Sequence, residues 1–219
     1  MAQYTAPAEL LMDYAAGTLP EAESLLVATH LSLCPQSRRE VSRYEQVGGT
    51  MLDSCEAAEV SPACRERVLK AITALAPEPA ANTSRDEFVC RVLPAPLRSY
   101  VGCGASEIKW TKRMKGLDAL DLPVKGKSPA TKARLLRIKP GTAIPEHNHQ
   151  GEEYTLLLSG SMEDGRQTFR RGDIAVSGPE TRHAPKAGAG EDCVCLVVTT
   201  APIQLTGIFG RFLNPFVRF

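Results

Sequence analysis

Residues 141–160 read GTAIPEHNHQGEEYTLLLSG. His147 and His149 are separated by one residue, so on an extended strand both imidazoles point to the same side. Glu153 follows a Gln150–Gly151 turn, at the start of a returning strand, and a hairpin there brings its carboxylate back opposite the two rings. A fourth ligand then has to come from elsewhere in the chain. His183, in GDIAVSGPETRHAP, is the remaining histidine of this half. The whole chain has 4 His, and three of them fall in this arrangement. Three imidazoles and one carboxylate suit zinc, iron, nickel, copper or manganese.

Outward from this stretch, the second half carries further β-rich runs: ARLLRI (133–138), DIAV (173–176) and DCVCLVVTT (192–200). Pro140–Gly141, Ser159–Gly160, Arg171–Gly172 and the AGAGE stretch are turn signals between them. Many short strands at regular spacing predict a barrel or a sandwich. Residues 8–76 read instead as about four short helices. Pro7 opens the first, which stops at Gly17. Pro20 opens the second, whose apolar stripe is Ala22, Leu25, Leu26, Thr29 and Leu33. A third starts at Pro35 and runs towards Val47 before Gly48–Gly49, with a resumption through Met51–Leu52. Ser61–Pro62 starts the fourth, with Val68, Leu69, Ile72 and Leu75. Such a unit has a small core, marginal alone, and a large partner surface completes it. The expected organisation is a helical unit over 1–78, a Pro- and Ala-rich linker over 79–87 and a β domain over 88–219.

Composition narrows the function classes. With 26 Lys and Arg against 25 Asp and Glu, the net charge is +1. That argues against nucleic acid or an anionic membrane as a main partner. The N-terminus shows neither the basic nor the apolar region of a signal peptide, and no apolar run approaches a membrane span. A cytoplasmic location is the expectation. The 7 Cys are odd in number, against a disulfide framework. Cys193 and Cys195 share one face of their strand, as two small core residues or as oxidisable thiols near the histidines.

Two resemblances add to this reading. Gly141-x5-His147-x-His149-x3-Glu153-x6-Gly160 is similar to the first cupin motif at every position. Gly172-x6-Pro179-x3-His183 resembles the second, with a spacing one residue longer and without its final glycine. The resemblance implies a jelly-roll β-barrel over about 88–219, hence an α+β chain of a small helical bundle followed by a cupin barrel. It also implies one divalent metal held by His147, His149, Glu153 and His183, with zinc as the first choice. The fold by itself implies no reaction.

LLMDYAAGTLPEAESLLVATHLSLCPQSRR (10–39) resembles the N-terminal domain of zinc-binding anti-sigma factors, and VCLVVTTAP…PFVRF resembles the tail of the ChrR-type members. Together with the cupin they make nearly the whole chain similar to the ChrR anti-sigma factors. That resemblance implies sequestration of an ECF-type sigma factor by the helical domain, and a cupin needed for its release under singlet oxygen or related oxidative stress. The family's helical domain carries a zinc signature, His-x3-Cys-x2-Cys with an upstream His. Here His30-x3-Cys34 is intact, but Ser37 stands at the third position and the upstream position falls near Thr5. With two of four ligands gone, no stable zinc is expected in this half, and His30 and Cys34 are a remnant that packs between helices. Cys34, just before the helix start at Pro35, is alternatively a reactive thiol. Two rival readings remain open: a cupin metal-dependent dioxygenase with a helical interaction domain, and a dimerising module.

Overall fold

The structure, a computed structural model, describes residues 2–75, 91–101, 108–124 and 130–206. The segment expected as a linker, 79–87, lies outside them. Four helices open the chain: α1 (Ala8–Ala15), α2 (Glu21–Leu33), α3 (Pro35–Asp53) and α4 (Pro62–Ala74). A proline stands at or just before each first turn, where its missing N–H has no helical partner to lose. α1 ends ahead of Gly17, whose φ of 69° is the left-handed stop expected there. The Ser61 hydroxyl caps α4 by accepting from Cys64 N. α3 differs from its sequence reading, because it passes through Gly48–Gly49 without a break. Each glycine costs a helix about 1 kcal/mol. That does not stop a 19-residue helix. A short helix, α5 (Ala95–Val101), lies in the half read as strands. It packs against α2 through the fully enclosed Leu97, and Tyr100 Oη donates to Glu21 Oε1 at 2.8 Å.

The rest is antiparallel β-structure. β1 (Thr111–Met114), β2 (Leu117–Asp121), β3 (Lys132–Ile138), β5 (Glu153–Ser159), β8 (Ile174–Ser177) and β11 (Cys193–Thr199) form one sheet in the order β1-β2-β3-β11-β5-β8. Two three-stranded sheets face its inner side. One is β10-β6-β7, from β6 (Ser161–Asp164), β7 (Gln167–Arg170) and β10 (Lys186–Ala187). The other is β12-β4-β9, from β4 (His147–His149), β9 (Arg182–His183) and β12 (Ile203–Leu205). The four apolar runs of the sequence are therefore contiguous strands, β3-β11-β5-β8.

Every residue of β11 is buried, because both of its faces are covered. Cys193, Cys195 and Val197 face the barrel interior with Leu117, Leu157 and Met162. Val194, Leu196 and Val198 face the other way, into a core shared with Leu10, Leu11, Leu25 and Leu26 of the helices. α2 sits at the centre of this second core. Leu26 and Val27 are both fully enclosed there, each contributing about 1.5–3 kcal/mol. The large surface that the helical unit needed is the outer face of the sheet, where α2 packs against β5 and β11, with α1, α3 and α5 packed around α2. α4 is different: none of its residues is buried.

Candidate metal centre

Sheet pairing brings three histidines to one place. β4 pairs with β9 so that His147 stands opposite His183, and His149 lies two residues on along the same face. Glu153 comes from a different sheet. β4 and β5 are not a hairpin: β4 pairs with β9 and β12, β5 with β11 and β8. The Gln150–Gly151 turn carries the chain from one wall of the barrel to the other, and Glu153 reaches the imidazoles across the interior. The expected convergence holds, by a route that spacing alone did not specify.

His147, His149, Glu153 and His183 each offer one ligand atom, all within 4.8 Å of one another. His183 Nε2 stands 3.1 Å from His147 Nε2 and 3.0 Å from His149 Nε2. His147 Nδ1 faces the Pro145 carbonyl at 2.8 Å, and His183 Nδ1 faces Asp164 Oδ2 at 2.6 Å. A carbonyl and a carboxylate accept, so both Nδ1 atoms carry the proton and both Nε2 atoms present lone pairs. Two lone pairs 3.1 Å apart repel unless a cation lies between them. His149 Nδ1 is buried without a hydrogen-bond partner, 3.8 Å from Glu153 Oε2. Nitrogens about 2.1 Å from one ion would lie about 3.0–3.4 Å apart, which matches these separations. The donor set therefore fits a metal ion.

The electrostatics point the same way. Burial, with the neighbouring His147 and His183, pushes the His149 pKa down to about 4, and burial lowers that of His147. Both rings are neutral at pH 7 and free to ligate. Burial raises the Glu153 carboxyl, in part offset by His183 and a hydrogen bond from Thr155. A cavity of about 70 Å³ lies beside the cluster, walled by Leu117, Leu136, Ile138, Met162 and Cys195. Arg134 and Glu153 line it, whereas Arg137 stacks on Trp110 at 4.8 Å and Tyr154 packs on the helix-facing core. Cys193 and Cys195 are free, buried thiols, and the hydrogen bond between them, with burial, raises the Cys195 thiol well above its ordinary pKa.

Sequence reasoning missed Asp164. It holds the His183 ring in the tautomer and orientation that aim Nε2 at the centre, as carboxylate partners of ligating histidines do. In the sequence Asp164–Gly165 reads as a turn, and nothing there ties it to a histidine 19 residues on.

His30 and Cys34 also meet, at a second place. His30 is fully enclosed and Cys34 is 2% exposed, so Cys34 offers no accessible thiol. The Ser37 hydroxyl lies 2.8 Å from His30 Nε2 and 3.4 Å from Cys34 Sγ. Thr5 precedes Ala6, whose N–H reaches His30 Nε2 at 3.5 Å.

Comparison with known proteins agrees with the fold. The ChrR cupin-like domain family matches residues 99–203. The anti-sigma-E factor ChrR of Cereibacter sphaeroides is 37% identical over 209 residues, 95% of each chain. The crystal structure of Rhodobacter sphaeroides SigE in complex with the anti-sigma ChrR superposes with a TM-score of 0.76 at 36% identity, covering 91% of this chain and 100% of that one. A likeness at this level runs through the helices and the barrel together, and the chain belongs to the ChrR family of anti-sigma factors.

Proposed function

We propose that this protein holds an ECF-type sigma factor inactive through its helical unit, and that a metal-loaded cupin barrel governs release in response to an oxidant of the singlet-oxygen class. The observation that carries the reading is the uncovered apolar face of α3 and α4. Met51 and Leu52 are 66% and 72% exposed, and Leu69, Ile72 and Leu75 are 47%, 57% and 73% exposed. A 13-residue amphipathic helix with its apolar side in water is marginal by itself. Apolar helix faces left in water in this way mark a protein-binding surface. The Rhodobacter sphaeroides relative was crystallised with SigE, which supports a sigma factor as the occupant. From such a partner we infer a cytoplasmic location. Leu69→Glu combined with Ile72→Glu should weaken binding to the cognate sigma factor about 100-fold or more while leaving the melting temperature unchanged. Undiminished capture of the sigma factor by that variant would sink the reading.

We assign the metal to His147, His149, Glu153 and His183. Zinc is our first choice because the site needs no redox-active ion to be structural, with iron, nickel, copper or manganese as the alternatives. When bound, the ion ties together β4, β5 and β9 and so braces two walls of the barrel. Imidazoles and the Cys193–Cys195 pair are the groups here that reactive oxygen modifies. Release of sigma factor by oxidant should be lost when His147, His149 and Glu153 are replaced by Ala, and release that survives would count against sensing at this site. The functional division of the chain that we favour is a helical unit over 1–78, a linker over 79–87 and a barrel domain over 88–219.

A further inference from the structure

His30 is fully enclosed, yet both of its ring nitrogens have protein partners. Nδ1 stands 2.9 Å from the carbonyl oxygen of Gly172. That oxygen only accepts, so Nδ1 carries the proton and Nε2 the lone pair. Nε2 receives the Ser37 hydroxyl at 2.8 Å and the Ala6 N–H at 3.5 Å. The same hydroxyl contacts Cys34 Sγ at 3.4 Å. Among the described residues no third His, Cys, Asp or Glu joins His30 and Cys34 in a ligand group. A zinc ion would have to displace a satisfied hydrogen bond and accept a hydroxyl in place of a thiolate. The zinc that the family implies for this half does not fit these residues.

What His30 does instead follows from where Gly172 lies. It stands in the turn between β7 and β8, at a φ of 91°. The same turn receives the N-terminal segment. Asp173 Oδ1 accepts from Gln3 N at 2.5 Å and Tyr4 N at 3.1 Å. Ile174 N donates to the Tyr4 carbonyl at 2.9 Å, and the Tyr4 ring packs on Phe169 at 4.7 Å. On its other side the turn is bound to β5: Gly172 N donates to Leu157 O at 2.8 Å, and Leu157 N donates to Asp173 O at 3.0 Å. β5 is the strand that begins with Glu153.

We propose that His30 is a metal-independent latch, which with Ser37 in the place of a zinc ligand fastens the helical unit to the barrel at Gly172. The helical unit then needs no ion of its own, and its anchor is the turn bonded to the ligand-bearing strand.

The full chain tests this with two substitutions and one spectrum. An asparagine amide nitrogen overlays Nδ1 and can donate to the Gly172 carbonyl, but it is no zinc ligand. In His30→Ala, amide exchange at residues 3–6 and 172–174 should accelerate about tenfold or more, and in His30→Asn it should stay much nearer the wild-type rate. Equal acceleration in the two variants, or failure of both to fold, would overturn the latch, since a zinc site loses its ligand equally in each. Should His30→Ala alone fail to fold, a folded His30→Asn with near-native exchange supports the proposal. Cobalt-loaded wild-type protein should show no thiolate-to-cobalt band. Such a band, present in wild type and abolished by Cys34→Ala, overturns metal independence.

Discussion

Two buried histidine clusters in one chain have been given opposite chemistry. At His147, His149 and His183 the nitrogens face one another, two of them with their protons turned outward to Pro145 and Asp164. At His30 the nitrogens face a carbonyl and a hydroxyl. Both clusters are buried and both meet a partner at about hydrogen-bond distance. The difference is the balance of lone pairs against protons. The barrel cluster has an excess of lone pairs that a cation removes. The helical cluster is balanced within the protein.

The largest effect should come from unbalancing the barrel cluster completely. His147→Ala with His149→Ala should take bound metal from about one equivalent to near zero by elemental analysis, since the two remaining ligands do not hold a divalent ion. Metal retained at the wild-type level would place it elsewhere. In the helical cluster, His30→Ala leaves the Gly172 carbonyl buried and unpaired beside a cavity. It should cost about 2–4 kcal/mol in denaturant unfolding, whether or not metal is supplied. A cost that appears only in the presence of zinc would erase the contrast between the clusters. A smaller change is expected from Asp164→Asn, which weakens the hold on His183 without touching a ligand. Metal affinity should fall about 10–100-fold by competition titration with the fold intact. An unchanged affinity would reduce Asp164 to a turn residue.

The two clusters were unequally legible in the sequence. The barrel was legible because its cues are local: the apolar runs of β3, β5, β8 and β11 and the turn between each pair. A strand covered on both faces has to be apolar throughout, as Cys193–Thr199 is. The candidate ligands were legible because alternation places His147 and His149 on one face. The route of Glu153 was not, because whether a turn closes a hairpin or crosses between sheets depends on the pairing of β11 with β5, some 40 residues away in the chain. Asp164 and Gly172 were hidden for the same reason: each meets its histidine through the closed barrel or across the seam between helices and sheet. At His30 the departure from the family pattern was readable in Ser37 and Thr5. That a serine hydroxyl completes the imidazole's hydrogen bonding there was not.

The smallest effect, and the finest test of the contrast, is in acid. Burial lowers the pKa of His30, His147 and His149 in the folded chain. The unfolded chain takes up protons as pH falls through about 6.5, while these folded-state imidazoles stay neutral, so the unfolded state binds more protons and acid favours it. The stability lost starts near pH 6.5 and continues down to each folded-state value, which for His149 is about 4. Each group contributes at most about 1.4 kcal/mol per pH unit over its window. His30 keeps its contribution whether or not the barrel is loaded, because its partners are protein atoms. His147 and His149 change theirs, because a bound ion and protons compete for the same lone pairs. Denaturant melts between about pH 7.5 and about pH 5 should therefore show a shallower loss for His30→Asn than for wild type, by the same margin in metal-free and metal-loaded protein. A margin that exists only in one of the two forms would mean that the clusters are coupled, and that the helical unit senses the state of the barrel through Gly172.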